Sequence, residues 1–232
     1  MRPLPVPRAD GQMEMIPMTK PECRMTKEQG FTLIELLVVI AIIATIAAFA
    51  VPAFTGMLER AHVTQDMNNL RQIALATQTY LNDSDGAFFL PTDVWMKSLH
   101  PKYLSNWKIF QSPFDKRTAL ESDTTAPVSY GFNANAKSGT SSLLSSQITN
   151  PSVFILFAPA QSSSPTVSFT GTAAASVTVD KAGGSQGTAI GGTNGNRKRI
   201  NACMADLHVE NMLWTTYKDS SSDTTATQRW AP

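Results

Sequence analysis

Residues 31–54 read FTLIELLVVIAIIATIAAFAVPAF, and Glu35 is the one ionisable residue among these twenty-four. As a helix rising about 1.5 Å per residue the stretch spans roughly 36 Å, enough for a hydrocarbon core of about 30 Å. A core helix of a soluble domain would carry a polar face, and this stretch has none. It exceeds the roughly 7–15 apolar residues of a secretory signal, and no small-x-small cleavage site follows it. Lys20, Arg24 and Lys27 precede it. That bias leaves the N-terminus in the cytoplasm and everything after about Arg60 on the far side of the membrane.

Glu35 is the informative residue. A carboxylate inside a membrane helix is costly, so it calls for a partner or a function. The apolar segment supplies no Lys, Arg or His. Cleavage between Gly30 and Phe31 would create a partner: the new α-amino group of Phe31, whose ordinary pKa of about 8 keeps it mostly cationic at neutral pH. Positions 31 and 35 lie four apart, on one helix face, and the same pair can form between neighbouring subunits. Its attraction is set against the desolvation of both charges. The plainer alternative is that Glu35 snorkels to the headgroups near the helix start.

The run Lys27-Glu28-Gln29-Gly30-Phe31-Thr32-Leu33-Ile34-Glu35-Leu36-Leu37, followed by the apolar segment, resembles the class III leader of type IV pilins and pseudopilins. The resemblance implies that a membrane aspartyl peptidase, the prepilin peptidase/methylase, cuts after Gly30 and N-methylates Phe31. It also implies that Glu35 supports subunit docking and that Pro52 kinks the helix, because proline removes one backbone hydrogen bond. The motif covers only residues 25–60. Family leaders are commonly short, whereas thirty residues precede the cut here. The expectation is that the true start is Met25 or Met18, since Met25 opens MTKEQG, a typical short leader. The proline-rich stretch 1–21 shows no helical period and is expected to be unstructured.

Beyond Pro52 the helix is expected to continue. Val63, Met67, Leu70, Ala74, Thr77 and Leu81 recur at three- and four-residue spacing with Ile73 and Tyr80 beside them, while Asp66, Asn68, Arg71 and Gln78 lie between. This is an amphipathic helix with one stripe available to a sheet, ended by the turn residues Asn82-Asp83-Ser84-Asp85-Gly86. Pro91-Thr92-Asp93 is read as opening a short helix through Leu99, with Thr92 as N-cap, stopping before Pro101. Strands are expected over 107–110, 128–133, 152–158, 166–170 and 176–180, with a final hairpin over 200–205 and 208–214. Ser/Thr/Gly-rich stretches such as 137–146 and 181–199 are expected to be surface loops. The tail 219–232 is read as polar and loose, with Trp230 able to dock.

A second resemblance lies in the head. Pro101-Lys102-Tyr103-Leu104, then Lys108-Ile109-Phe110-Gln111-Ser112-Pro113-Phe114-Asp115, Ser129-Tyr130-Gly131-Phe132-Asn133-Ala134-Asn135 and Met204-Ala205-Asp206-Leu207-His208-Val209-Glu210 resemble a group of pseudopilin-like proteins. That group commonly has Cys-Pro where Ser112-Pro113 stands, and Asp-Gly-His where Asp206-Leu207-His208 stands. Leu207 puts the usual tight turn in question, because leucine disfavours positive φ. Together the resemblances imply an α+β pilin fold: a long N-terminal helix, half membrane-spanning and half amphipathic, packed on an antiparallel β-sheet head. The expected divisions are a cleaved leader (1–30), a transmembrane and filament-core helix (31–54), the amphipathic helix of the head (55–82), a globular α+β head (83–218) and a polar tail (219–232).

Charge and cysteine content agree with a packing subunit. Beyond residue 30 the chain holds fourteen Lys/Arg and fourteen Asp/Glu, which cancel. Copies can therefore pack without strong self-repulsion, and no basic surface calls for nucleic acid. After the cut only Cys203 remains of the two cysteines, so the mature chain has no internal disulfide; Cys203 sits in an apolar run and reads as a small buried hydrophobe.

No catalytic, cofactor or metal constellation is read. His62, His100 and His208 make no zinc-like spacing. Asp206 and His208 have no assigned nucleophile. Gly191-Gly192-Thr193-Asn194-Gly195-Asn196-Arg197-Lys198 lacks the Gly-Lys-Ser/Thr of a P-loop. Asp83, Asp85 and Asp93 lack the repeated spacing of a calcium loop and read as turn caps.

The functional expectation is a structural subunit of a type II secretion pseudopilus, not an enzyme. It would sit in the inner membrane with its head in the periplasm before joining the filament. The partners implied are the prepilin peptidase, other copies, minor pseudopilins and an inner-membrane assembly platform. The alternatives are a type IV pilin for adhesion, motility or DNA uptake, and, from another class, a signal-anchored periplasmic enzyme or ligand-binding domain.

Overall fold

The computed structural model describes residues 5–7, 13–15, 30–90, 94–115, 128–133, 135–138, 141–160, 178–179, 191–218 and 224–232. The chain divides into two compact units, 1–50 and 51–232. In the first, β1 (Pro5–Pro7) pairs antiparallel with β2 (Met13–Met15), Val6 opposite Glu14. This corrects the expectation of no structure before Pro21. Proline fixes φ near extended values, so Pro5-Val6-Pro7 needs little further ordering to act as a strand. Helix α1 (Leu33–Asp83) begins in this unit, and every residue from Gly30 to Val51 is exposed.

α1 remains helical at Pro52 and continues into the second unit as expected. There Leu70, Ile73, Ala74, Thr77 and Leu81 are buried and Val63, Met67 and Tyr80 half-buried, which is the stripe that the spacing predicts. Asp66 departs from that prediction. It lies inside the stripe, fully buried, because polar partners wait on the facing elements. The helix ends as Gly86, at φ 78°, and Ser84 return their amides to the Leu81 carbonyl. A left-handed residue of this kind terminates a helix most readily as glycine.

Next comes α2 (Trp95–Leu99), which buries Trp95, Met96 and Leu99. Its N-cap is Val94, which makes no side-chain cap; Thr92, expected in that role, lies outside the described residues. Residues 107–110, expected as a strand, form a 3₁₀ turn. The Asn106 side chain accepts the Lys108 amide at 2.9 Å and closes that turn, a local bond of the kind that outcompetes a strand ladder.

The sheet is built from β3 (Tyr130–Asn133), β6 (Ile155–Pro159), β7 (Thr178–Val179), β8 (Arg199–Met204) and β9 (Val209–Leu213), in the order β7-β3-β6-β8-β9. Four strands run antiparallel, and two-residue β7 joins β3 in parallel at the edge. Between β3 and β6, β4 (Lys137–Ser138) and β5 (Ser141–Ser142) make a small antiparallel pair within the stretch expected to be loop. The expected strand at 166–170 lies outside the described residues. Central β6 is buried at all five positions, so it reads as an unbroken apolar run instead of an alternating one.

The core centres on aromatic rings. Phe89 meets Phe132 with centroids 5.1 Å apart, Phe132 meets Phe157 at 5.4 Å, and Trp95 meets Phe157 at 5.0 Å. Cys203 is buried on β8, as its apolar run implies, and burial pushes its thiol pKa up to about 12, with the nearby Asp206 charge adding to the rise. Residues 191–194 are buried, against the expectation of a surface loop. Glycine permits it: a Cβ on Gly191 would stand 2.4 Å from the Trp214 ring, and one on Gly192 would stand 2.1 Å from the Arg199 carbonyl oxygen.

The β8–β9 turn forms despite its leucine. Leu207 adopts φ 73°. Its amide bonds Met204 at 3.0 Å, its side chain packs against the core, and Asp206 accepts the His208 amide at 3.1 Å. These contacts offset the unfavourable backbone.

After α3 (Trp214–Tyr217), the described part of the tail, residues 224–232, is not loose. Residues Thr224–Trp230 form α4. Trp230 docks with its indole nitrogen on the Tyr217 carbonyl at 3.1 Å and its ring edge-on to Tyr217 at 5.0 Å, while Asn135 bonds the Trp230 carbonyl at 2.9 Å.

Candidate processing and assembly site

Gly30, Phe31 and Thr32 precede α1 without regular structure, and Leu33 opens the helix. Gly30 has no neighbour within 4 Å of a would-be Cβ, so packing does not demand glycine there. Phe31 is 79% exposed. Thr32 and Glu35 join the loop to the helix. The Glu35 carboxylate accepts from the Thr32 amide at 2.9 Å and the Thr32 hydroxyl at 2.7 Å, while the Glu35 amide reaches the same hydroxyl at 3.4 Å. This is a reciprocal capping box, with threonine at the N-cap and glutamate at N3.

The structure therefore places Phe31 and Glu35 at the same helix start, and Glu35 is held by Thr32. Position 31 carries a backbone amide in this chain, so the charge pair expected of a cut chain is not formed here. Sequence reading missed Thr32, although Thr-x-x-Glu before an apolar run is itself a helix-start signal. Ile34, Val38 and Val39 line a shallow apolar crevice with Phe31 and Glu35. Around it the apolar side chains face outward: Leu33 is 81% exposed and Phe49 82%. α1 is the one helix among the described residues long and apolar enough to cross a membrane.

The remaining candidates resolve into local structure. Asp206 lies 2.5 Å from His208 Nδ1 within the β8–β9 turn. Asp83 accepts from Lys102 and Tyr103, both at 2.8 Å, which holds its carboxyl below the usual range and raises the lysine. Asp93 lies outside the described residues.

The N-terminal segment is similar in sequence to known proteins. A family described as the prokaryotic N-terminal methylation motif matches residues 25–51. The type IV major fimbrial protein FimA of Dichelobacter nodosus is 40% identical over 60 residues, covering 26% of this chain and 38% of that protein. The type IV major pilin protein PilA of Myxococcus xanthus is 36% identical over 59 residues, covering 25% and 27%. A probable minor fimbrial protein of D. nodosus is 39% identical over 59 residues, covering 25% and 37%. The chain thus spans less than two-fifths of the length of these relatives. No solved structure matches. With a prokaryotic N-terminal methylation motif at residues 25–51 and a long helix followed by an antiparallel sheet, the chain is type IV pilin-like over its N-terminal quarter.

Proposed function

We propose that this chain is a structural subunit of a type II secretion pseudopilus, cut by prepilin peptidase between Gly30 and Phe31, N-methylated on Phe31 and assembled through its N-terminal helix. The observation that carries the filament role is the first part of α1, whose apolar side chains are exposed from Leu33 to Val51 with no cover among the described residues. Such a surface is stable only in lipid or among other apolar helices. The subunit waits in the inner membrane with its N-terminus in the cytoplasm and its head in the periplasm. It then joins other copies and minor pseudopilins on the assembly platform, and Pro52 bends the helix to fit that packing. Cutting frees the Phe31 amine one turn from Glu35. The carboxylate can then exchange its Thr32 contacts for a cation on its own chain or on a neighbour. The chain catalyses nothing.

The reading as a secretion subunit draws on the mature chain having one cysteine, buried and unbridged. A second reading, a type IV pilus subunit, draws on the relatives, which are named as fimbrial and pilin proteins. Deleting the gene separates them: loss of exported proteins with surface fibres intact supports the first, and loss of fibres with normal export supports the second. Mass spectrometry of the purified subunit is expected to find N-methylated Phe31 at its start. A chain that still begins upstream of Gly30 would overturn both.

A further inference from the structure

Among the described residues Asp66 is the one fully buried acid of α1. Its Oδ1 accepts from the Ser112 hydroxyl at 2.5 Å and the Tyr130 hydroxyl at 2.6 Å, and its Oδ2 accepts from the Asn201 amide at 2.6 Å. All three donors are neutral. The Asn201 amide does not end the chain of bonds. Asn201 and Asn211 stand opposite each other on β8 and β9. Asn211 Nδ2 donates to Asn201 Oδ1 at 2.6 Å and to Asn194 Oδ1 at 3.2 Å. Asn211 Oδ1 accepts from Arg199 Nε, and the same guanidinium also donates to the Asn211 backbone carbonyl. Arg199 is exposed and stands two residues before Asn201 on β8, hence on the same sheet face.

The direction of donation is uniform along this path: guanidinium to amide, amide to amide, amide to carboxylate. Each amide dipole has a cation side and an anion side, and such chains polarise one another. Flipping either amide would set two acceptors or two donors face to face.

We propose that Asn201 and Asn211 form an amide relay coupling the buried Asp66 carboxylate to the exposed Arg199 guanidinium, so that the junction of α1 with the sheet is a clasp responsive to pH and to charge at Arg199. The clasp is a property of the head and does not rest on the filament reading.

Other ionisable groups on the surrounding elements are engaged elsewhere. Glu59 accepts the Gly195 amide at 2.7 Å, and His62 stands edge-on to Phe114 at 5.9 Å. Asp115 accepts from Ser129 at 2.6 Å, and Arg197 bonds the Gly192 carbonyl at 3.3 Å. Tyr130, buried beside Asp66, is held well above its ordinary pKa by that burial and by the Asp66 charge, so it stays a neutral donor. Burial raises the Asp66 pKa, and its three hydrogen bonds oppose the rise without cancelling it. The sign follows from linkage. The folded value lies above the unfolded one, so stability from this group is fully present below the unfolded value. It is lost as pH climbs through the folded value. Removing the Arg199 charge disfavours the carboxylate further and carries that loss to higher pH. Salt, which screens an exposed guanidinium, acts in the same direction.

The test is a pH titration of the full chain in detergent micelles with ¹³C-labelled aspartate, the Asp66 carboxyl resonance being assigned by its disappearance in Asp66→Asn. Arg199→Met alters an exposed side chain and leaves the core intact. It is expected to raise the Asp66 midpoint by about half a pH unit or more. Asn211→Ala, which cuts the relay while keeping Arg199, is expected to raise it likewise. An unmoved midpoint in Arg199→Met overturns the coupling. A shift in Arg199→Met with none in Asn211→Ala overturns the relay in favour of a through-space field. A uniform loss of thermal stability with no change in either midpoint reduces the network to packing.

Discussion

Two acids of α1 live in opposite circumstances. Glu35 is exposed, and its carboxylate accepts two hydrogen bonds from Thr32, three residues away. Asp66 is fully buried and takes its bonds from residues 46, 64 and 135 positions distant. The apolar residues around them follow the same division. From Leu33 to Val51 they all face outward, whereas Leu70, Ile73, Ala74 and Leu81 are covered by the head. One stretch of helix completes itself with its own tertiary structure. The other leaves its apolar side chains exposed among the described residues, which is the surface that the proposed filament role would cover.

The largest effect that would sharpen this division belongs to Gly30→Ala. A Cβ meets nothing there, so the fold is expected to be unchanged while cleavage stops and full-length precursor accumulates on immunoblots. Normal processing would break the leader assignment. Next comes Glu35→Gln, expected to be cut normally but to lower filament yield at least about tenfold, because the amide cannot pair with the Phe31 amine. Sheared-filament assays that show wild-type yield would remove the distinction between the two acids. In the head, Trp95→Ala is expected to cost about 3–5 kcal/mol in chemical unfolding, as large-to-small core changes do, without altering cleavage. Lys102→Met is expected to leave the unfolding midpoint unmoved, since the Lys102–Asp83 pair is exposed at 67% and 48% and such pairs contribute little.

Much of this was legible in the chain itself. The apolar run at 31–54, the stripe from Leu70 to Leu81 and the β8–β9 hairpin are local patterns, and local patterns survive folding. The places where reading failed depend on partners far along the chain. Asp66 looked like a solvent-facing residue because nothing near it in sequence announces Tyr130 or Asn201. Residues 107–110 looked like a strand until the Asn106 cap closed a turn. Trp230 stood out in the polar tail as a ring able to dock, but nothing near it in sequence pointed to Tyr217 as its partner. Leu207 broke the glycine rule because packing and turn hydrogen bonds hold it in place.

By itself the sequence determined the membrane-length helix, its N-terminal methylation motif and the acid within that motif, because hydrophobic period and spacing within one or two turns are enough to specify them. Only the tertiary structure decided which face of α1 meets the sheet, why that face tolerates a buried carboxylate, and where the tail docks. Those outcomes turn on hydrogen-bond donors and rings brought together from distant positions, and a buried charge or ring is stable only when all of its partners arrive at once.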